Sequence, residues 1–236
     1  MPARPRTLTI DIGGTGIKMI RLDARGRPIG DRERELTPDP RTPANVLRVI
    51  RHMLKKQGPF DRVSVGFPGV VVRGVVRTAP NLGTRAWSDV DLQSRIARMT
   101  GKPARVLNDA DLQGYGVIRR RGVELVLTLG TGLGSGLYVD GHLVPNLELG
   151  HHPFRKGRTY EELVSDAELK RIGPRKWRER VEDVLAQLEP IFNYDHLYIG
   201  GGNARHLRAL PTNTSVFENV HGMTGGIRLW QDPVGR

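Results

Sequence analysis

Cysteine is absent from the 236-residue sequence, which excludes disulfides, thiol nucleophiles and cysteine-ligated zinc. Aromatic residues supply only 6% of the chain, so the core has to be mainly aliphatic. No apolar run approaches the ~18 residues that cross a bilayer, and no apolar signal region precedes the first strand-like segment at Thr7. The expectation is a cytoplasmic protein with no membrane partner. Acidic residues are scarce relative to basic ones, 25 against 37, for a formal charge of +12. That field attracts polyanions, whether nucleic acid, anionic lipid or phosphate-rich substrates, although a generally basic soluble surface produces the same sum. Glycine and proline are plentiful, at 29 and 16, and imply many tight turns.

Apolar runs alternating with these turn residues give an α/β pattern. Thr7–Ile12 reads as a strand, 13–16 as a turn and 17–22 as a returning strand. Pro43 opens a helix whose Val46, Val49, Ile50 and Met53 share one face, ahead of Gly58. There follow a strand at Arg62–Phe67, a hairpin about Arg73-Gly74 and a helix over 89–99 closed by Gly101. Next come a strand at 103–107 and a helix over 109–121 capped by Asn108 or Asp109. The opening pattern then recurs, with a strand at 124–129, a Gly-rich turn at 130–134 and a returning strand at 136–139. Helices over 160–169 and 176–192, a strand at 196–199, a turn at Gly200-Gly201-Gly202 with a short helix from Asn203, a strand over 214–217 and a helix over 223–230 complete the chain. The stretches IDIGGTGIKMI and LTLGTGLGSGLYV form a weak internal repeat, which implies a duplicated α/β fold with one loop from each half facing a common cleft. No Ser- or Pro-rich linker appears, so tightly joined lobes are expected over 1–108 and 109–236, the terminal helix being free to pack back on the first.

Asp11, Gly13, Gly14, Thr15, Gly16 and Lys18 combine, at one strand-to-strand turn, the parts that phosphate binding needs. Glycine permits close backbone approach and N–H donation, Thr15 adds a hydroxyl, Lys18 a point charge, and Asp11 a carboxylate able to hold Mg²⁺ through water. The loop is not a Walker A motif, because Ile17 precedes Lys18 and no helix follows. Gly130, Thr131 and Gly132 repeat the logic, and Ser135 breaks the dinucleotide fingerprint. A tight hairpin alone explains either loop; two in matching contexts point to a phosphate-binding cleft. Gly201, Gly202 and Asn203 lie between a strand and a helix start, where backbone N–H groups either receive a nucleotide or phosphate or simply make a tight turn.

Seven ordered motifs, DIGGTGIK, GFPGVV, RTAPNLG, VLNDAD, LTLGTGLGSGL, NLELGH and IGGGNARHL, resemble the ROK sugar kinases, and within them the polyphosphate glucokinase branch. The resemblance runs from about Leu8 to Gly226. It implies a duplicated ribonuclease-H-like (actin-like ATPase) fold, two lobes around a central cleft. It also implies phosphoryl transfer from polyphosphate and/or ATP to glucose, giving glucose 6-phosphate, with mannose as a further candidate acceptor. On this resemblance Asp109 is the general base, and Asn81, Asn108, Glu148, His151 and Glu161 contact the sugar, with Glu162 the alternative to Glu161. The two Gly-Thr loops and the 201–203 turn would bind the donor with Mg²⁺, and a homodimer is the implied assembly. Where many ROK proteins carry a Cys-rich zinc motif, GHHPFRKGRTYEEL has no Cys, and His142, His151 and His152 make no complete ligand set, so no zinc is expected. About six residues precede the first strand, too few for the helix-turn-helix of ROK repressors, and no base-reading motif appears, so no nucleic-acid partner is expected. Two alternatives remain: a sugar-responsive ROK-fold protein without turnover, and an ATP-only kinase for another hexose. The basic stretches 119–121, 155–158 and 171–180 are candidates for an extended phosphate track, or equally for solvated faces.

Overall fold

The structure, a computed structural model, describes residues 5–218 and 223–231. The chain divides into two compact units, Met1–Gly116 with Val220–Arg236, and Val117–Asn219.

In the first unit β1 (Thr7–Ile12), β2 (Gly16–Leu22), β3 (Glu33–Leu36) and β4 (Arg62–Phe67) are followed by a small hairpin of β5 (Val71–Val72) and β6 (Val75–Val76), and then by β7 (Ala104–Asn108). The main sheet runs β3-β2-β1-β4-β7, antiparallel from β3 to β1 and parallel from β1 to β7. All six residues of β1 are buried, as befits a central strand covered on both faces. One face carries Leu8, Ile10, Ile12, Ile17 and Met19 against α1 (Pro43–Leu54), α2 (Thr84–Trp87) and α3 (Leu92–Thr100). Thr42 caps α1 by accepting from the Asn45 N–H, with Pro43 in the first turn; Gly101, at φ 64°, closes α3. The other face receives α4 (Asp109–Val117) and the four-residue α8 (Gly225–Arg228). Ser64 Oγ donates to the Gly226 carbonyl at 2.6 Å, and Met223 and Ile227 pack with Ile20 and Leu22.

The second unit repeats this plan. Its strands β8 (Val123–Leu129), β9 (Leu133–Val139), β10 (His142–Val144), β13 (His196–Gly200) and β14 (Thr214–Val216) form a sheet ordered β10-β9-β8-β13-β14. The pairings are antiparallel, antiparallel, parallel and parallel, strand for strand those of the first unit. The short pair β11 (Pro153–Arg155) and β12 (Arg158–Thr159) leads to α5 (Tyr160–Val164), α6 (Asp166–Ile172) and α7 (Pro174–Phe192). The fully buried Trp177 of α7 donates its indole N–H to the Val164 carbonyl at 3.0 Å and anchors the aliphatic core beneath the sheet.

Several elements differ from expectation. The helix expected over 109–121 stops at Val117, because the buried Glu124 carboxylate collects the N–H groups of Arg119, Arg120 and Arg121 at 2.6, 2.7 and 3.2 Å. The units divide between Gly116 and Val117, at the last residue of this helix and not before Asp109, and α4 packs on β4. The helix expected over 160–169 is two helices broken at Ser165, which ends α5 and caps α6. The helix expected from Asn203 is a single 3-10 turn over Ala204–His206, and within the helix expected over 223–230 Met223 and α8 are helical with a turn at Thr224 between them. The helix expected from 89 starts at Leu92, where Asp91 accepts from the Ser94 N–H at 2.9 Å.

Candidate active site

In the first unit the pairing of β1 with β2 sets Asp11 opposite Lys18, whose ammonium donates to Asp11 Oδ2 at 2.8 Å. The intervening loop is closed by Gly13 N–H on the Gly16 carbonyl at 3.0 Å, and Thr37 Oγ1 donates to the Gly13 carbonyl at 2.6 Å. A Cβ on Gly14 would lie 3.3 Å from Asn81 Cβ, so Asn81 sits directly against this loop. Parallel register sets Asp11 opposite Gly66 and Phe67 opposite Asn108. A Cβ on Gly66 would meet Asp109 Cα at 3.3 Å; its absence lets the first turn of α4 settle on the strand. Asn108 Oδ1 accepts from the Ala110 and Asp111 N–H groups at 2.8 and 3.2 Å, while its amide donates to the Gly69 carbonyl at 3.3 Å. Asn108 therefore caps α4 and ties it to the GFPG turn. Half-buried Asp109 begins the helix at the carboxyl edge of three parallel strands, the edge at which open α/β sheets bind ligands.

In the second unit the 130–132 loop is closed by Gly130 N–H on the Gly132 carbonyl at 3.0 Å. The Gly130 carbonyl accepts from the Asp166 N–H at 3.0 Å and from the Asn203 amide at 3.4 Å. Asn203, almost fully buried, also donates its N–H to the Leu129 carbonyl at 3.0 Å and its amide to Asp166 Oδ1 at 3.4 Å. Gly201 has φ 87°, and a Cβ there would collide with the Leu129 carbonyl. The Lys170 ammonium, 2.6 Å from Asp166, and then the Asn203 amide hold the Asp166 carboxyl below the usual range. Glu161 Oε2 accepts from the Leu133 N–H at 3.0 Å and occupies the space a Cβ on Gly132 would take. Leu149 N–H donates to Ser135 Oγ at 3.1 Å, and Glu148 lies 3.5 Å from His151 Nε2. The β8–β9 turn thus brings together Glu161, the 130–132 loop and the Gly201–Gly202–Asn203 turn, and Ser135 ties the Glu148–His151 segment to the strand that follows it. Glu162 does not join them: it forms a reciprocal cap with Thr159, accepting at 2.7 Å and donating its N–H at 3.3 Å.

Two contributors escaped the sequence reading. Thr37 lies beside β3, a strand with no apolar run to announce it. Asp166 follows the Ser165 break, and nothing local marks its contact with Gly130. The basic stretches are partly internal: Arg155 pairs with Asp183 at 2.9 Å, and Arg158, Arg171 and Arg180 converge on buried Glu168. Arg171 first, and Arg180 with it, hold the Glu168 carboxyl down to about 2. Among the described residues no group of three or more His, Asp or Glu is arranged to hold a metal ion.

A model of the ROK family matches residues 7–159. The chain belongs to the ROK family. It is 37% identical over 234 residues to the polyphosphate glucokinase of Mycobacterium tuberculosis, an alignment covering 92% of this chain and 88% of that protein. Its fold matches the inorganic polyphosphate/ATP-glucomannokinase of Arthrobacter sp. strain KM with a TM-score of 0.86 and 30% identity, over 96% of this chain and 99% of the other. A ROK family glucokinase from Streptomyces griseus, solved with glucose and AMPPNP, matches with a TM-score of 0.81 over 95% and 98% of the two chains; at 20% identity it supports the fold alone. The repeated strand order of this ROK chain is the duplicated actin-like ATPase fold.

Proposed function

We propose that this ROK protein is a kinase that phosphorylates glucose to glucose 6-phosphate, with inorganic polyphosphate or ATP as donor. One observation carries the reading: Asp109 is seated on Gly66 by the Asn108 cap, opposite Asp11 and its phosphate-type loop, in a chain 37% identical to a polyphosphate glucokinase over 92% of its length. Asp109 accepts the proton of the attacking sugar hydroxyl while that oxygen bonds to the terminal phosphorus and the bridging bond to the donor breaks, leaving the donor one phosphoryl group shorter. Asn81, Asn108, Glu148, His151 and Glu161 orient sugar hydroxyls. Gly13, Gly14, Thr15 and Lys18 in one unit, and Gly130, Thr131, Gly132, Gly201 and Gly202 in the other, meet the donor; Asn203 acts by holding Gly130.

Kinases of this kind use a divalent metal with nucleotide, and we assign Mg²⁺. The residues fit it: Lys18 already donates to one oxygen of Asp11, so this single carboxylate suits an ion held through its water shell. When bound, the ion offsets charge on the phosphoryl oxygens. Mannose as second acceptor, a homodimer and a cytoplasmic location complete the reading, the described residues containing no helix long and apolar enough to cross a membrane. A coupled assay of glucose and mannose against polyphosphate and ATP tests it. Glucose 6-phosphate formation with either donor is expected; glucose binding by calorimetry without turnover would instead favour a sugar-responsive ROK protein.

A further inference from the structure

Charged side chains form a row across the first unit's sheet. Antiparallel register sets Asp11 opposite Lys18 and Lys18 opposite Arg34, and partners in register project from the same face. Arg34 obeys this: a Cβ on Gly16 would come within 3.1 Å of Arg34 Nε, so the guanidinium lies over the bare backbone that closes the first Gly-Thr loop. Its neighbours Glu33 and Glu35 take the opposite face, where the Lys56 ammonium lies 3.7 and 3.3 Å from their carboxylates. In the other direction Asp11 is opposite Gly66, on which Asp109 sits. The row therefore runs from Asp109 through Asp11 and Lys18 to Arg34. Lys18 is offset by Asp11, whereas Arg34 is exposed and no carboxylate engages it among the described residues.

We propose that Arg34 is a donor-phosphate ligand that grips phosphoryl groups beyond the one transferred and so favours polyphosphate over ATP. The proposal rests on the kinase reading above and adds to it a residue on an edge strand. Three strand spacings separate β4 from β3, about 14 Å of sheet. A polyphosphate keeps presenting charged oxygens over such a span, while ATP gives way to its nucleoside. A guanidinium meets phosphate oxygens with two parallel N–H donors, which an ammonium cannot do.

The test is steady-state kinetics of Arg34→Gln and Arg34→Lys at saturating glucose, with calorimetry of tripolyphosphate binding in the absence of sugar. Arg34→Gln is expected to raise the polyphosphate KM about tenfold, the cost of one charge-assisted contact. The ATP KM should move less, the glucose KM should hold, and Arg34→Lys should recover part of the loss. The fall of polyphosphate kcat/KM with salt, on logarithmic axes, should become shallower by roughly one unit. If Arg34→Gln binds tripolyphosphate and uses polyphosphate as the parent does, Arg34 merely blunts the sheet edge and the proposal fails while the kinase reading stands. If the parent turns over no glucose but loses tripolyphosphate affinity on Arg34→Gln, the kinase reading fails and the phosphate contact survives.

Discussion

Asn108 and Asp109 are consecutive, yet the structure gives them different tasks. The Asn108 side chain caps α4 and holds the Gly69 carbonyl, and the space left by Gly66 places Asp109 at the sheet edge. Asp109→Asn preserves that placement and removes basicity, so kcat should fall by roughly 100-fold or more. Calorimetric glucose affinity and the melting temperature should stay close to the parent's; near-parental turnover would remove Asp109 from the role of base. Glu168 shows the opposite case, a charged residue serving stability. Its carboxyl is held at about 2 against an ordinary 4.5, chiefly by Arg171. A depressed folded value stabilises the fold above pH 4.5, and the contribution is lost as pH falls through about 2. In urea titrations the stability gap between the parent and Glu168→Gln should be wide near neutral pH and close toward pH 2. A gap that does not narrow with acid would mean that the arginines do not act through this charge.

At the scale of elements, glycines and one helix start shape the loops. The α6 N-terminus is turned to an internal use, its first N–H and the Asn203 amide sharing the Gly130 carbonyl. Asp166→Ala keeps the backbone donor and removes the carboxylate that anchors Asn203 and Lys170. The loop should lose its set, raising the KM for polyphosphate and for ATP alike by about tenfold with the sugar KM unchanged. That pattern differs from Arg34→Gln, which separates the two donors. A lower melting temperature with unaltered donor KM values would leave Asp166 a purely structural residue. The strands and the longer helices were legible because apolar periodicity and Gly or Pro boundaries are local signals: Arg62–Phe67 stands where it was expected, and Pro43 opens α1. β3 was not, because EREL alternates charge and carries no apolar run, and its place beside β2 is fixed only by long-range register. The break at Ser165 was masked as well, since Tyr160, Leu163, Val164 and Ala167 keep helical spacing across it, although Ser165 three residues before Glu168 is itself a capping pattern.

For the whole molecule, the +12 charge becomes informative only with a polyanionic donor. Long polyphosphate should lose kcat/KM more steeply with added salt than ATP does, because more of its charges are met by the basic surface at once. Parallel salt titrations of the two donors check this, and identical slopes would confine recognition to the terminal phosphates. By itself the sequence determined the internal repeat, the class of fold and the residue make-up of the two Gly-Thr turns, for these depend on residue types at short spacing: glycine where backbone must approach closely, a carboxylate and a lysine on neighbouring strands. Only the tertiary structure decided that Glu161 and not Glu162 meets the second loop, that Asn203 supports Gly130, and that Arg34 lies in line with Lys18 and Asp11. Those outcomes follow from strand register and from which side chain finds a buried partner, and both are long-range consequences of packing that no local window of sequence contains.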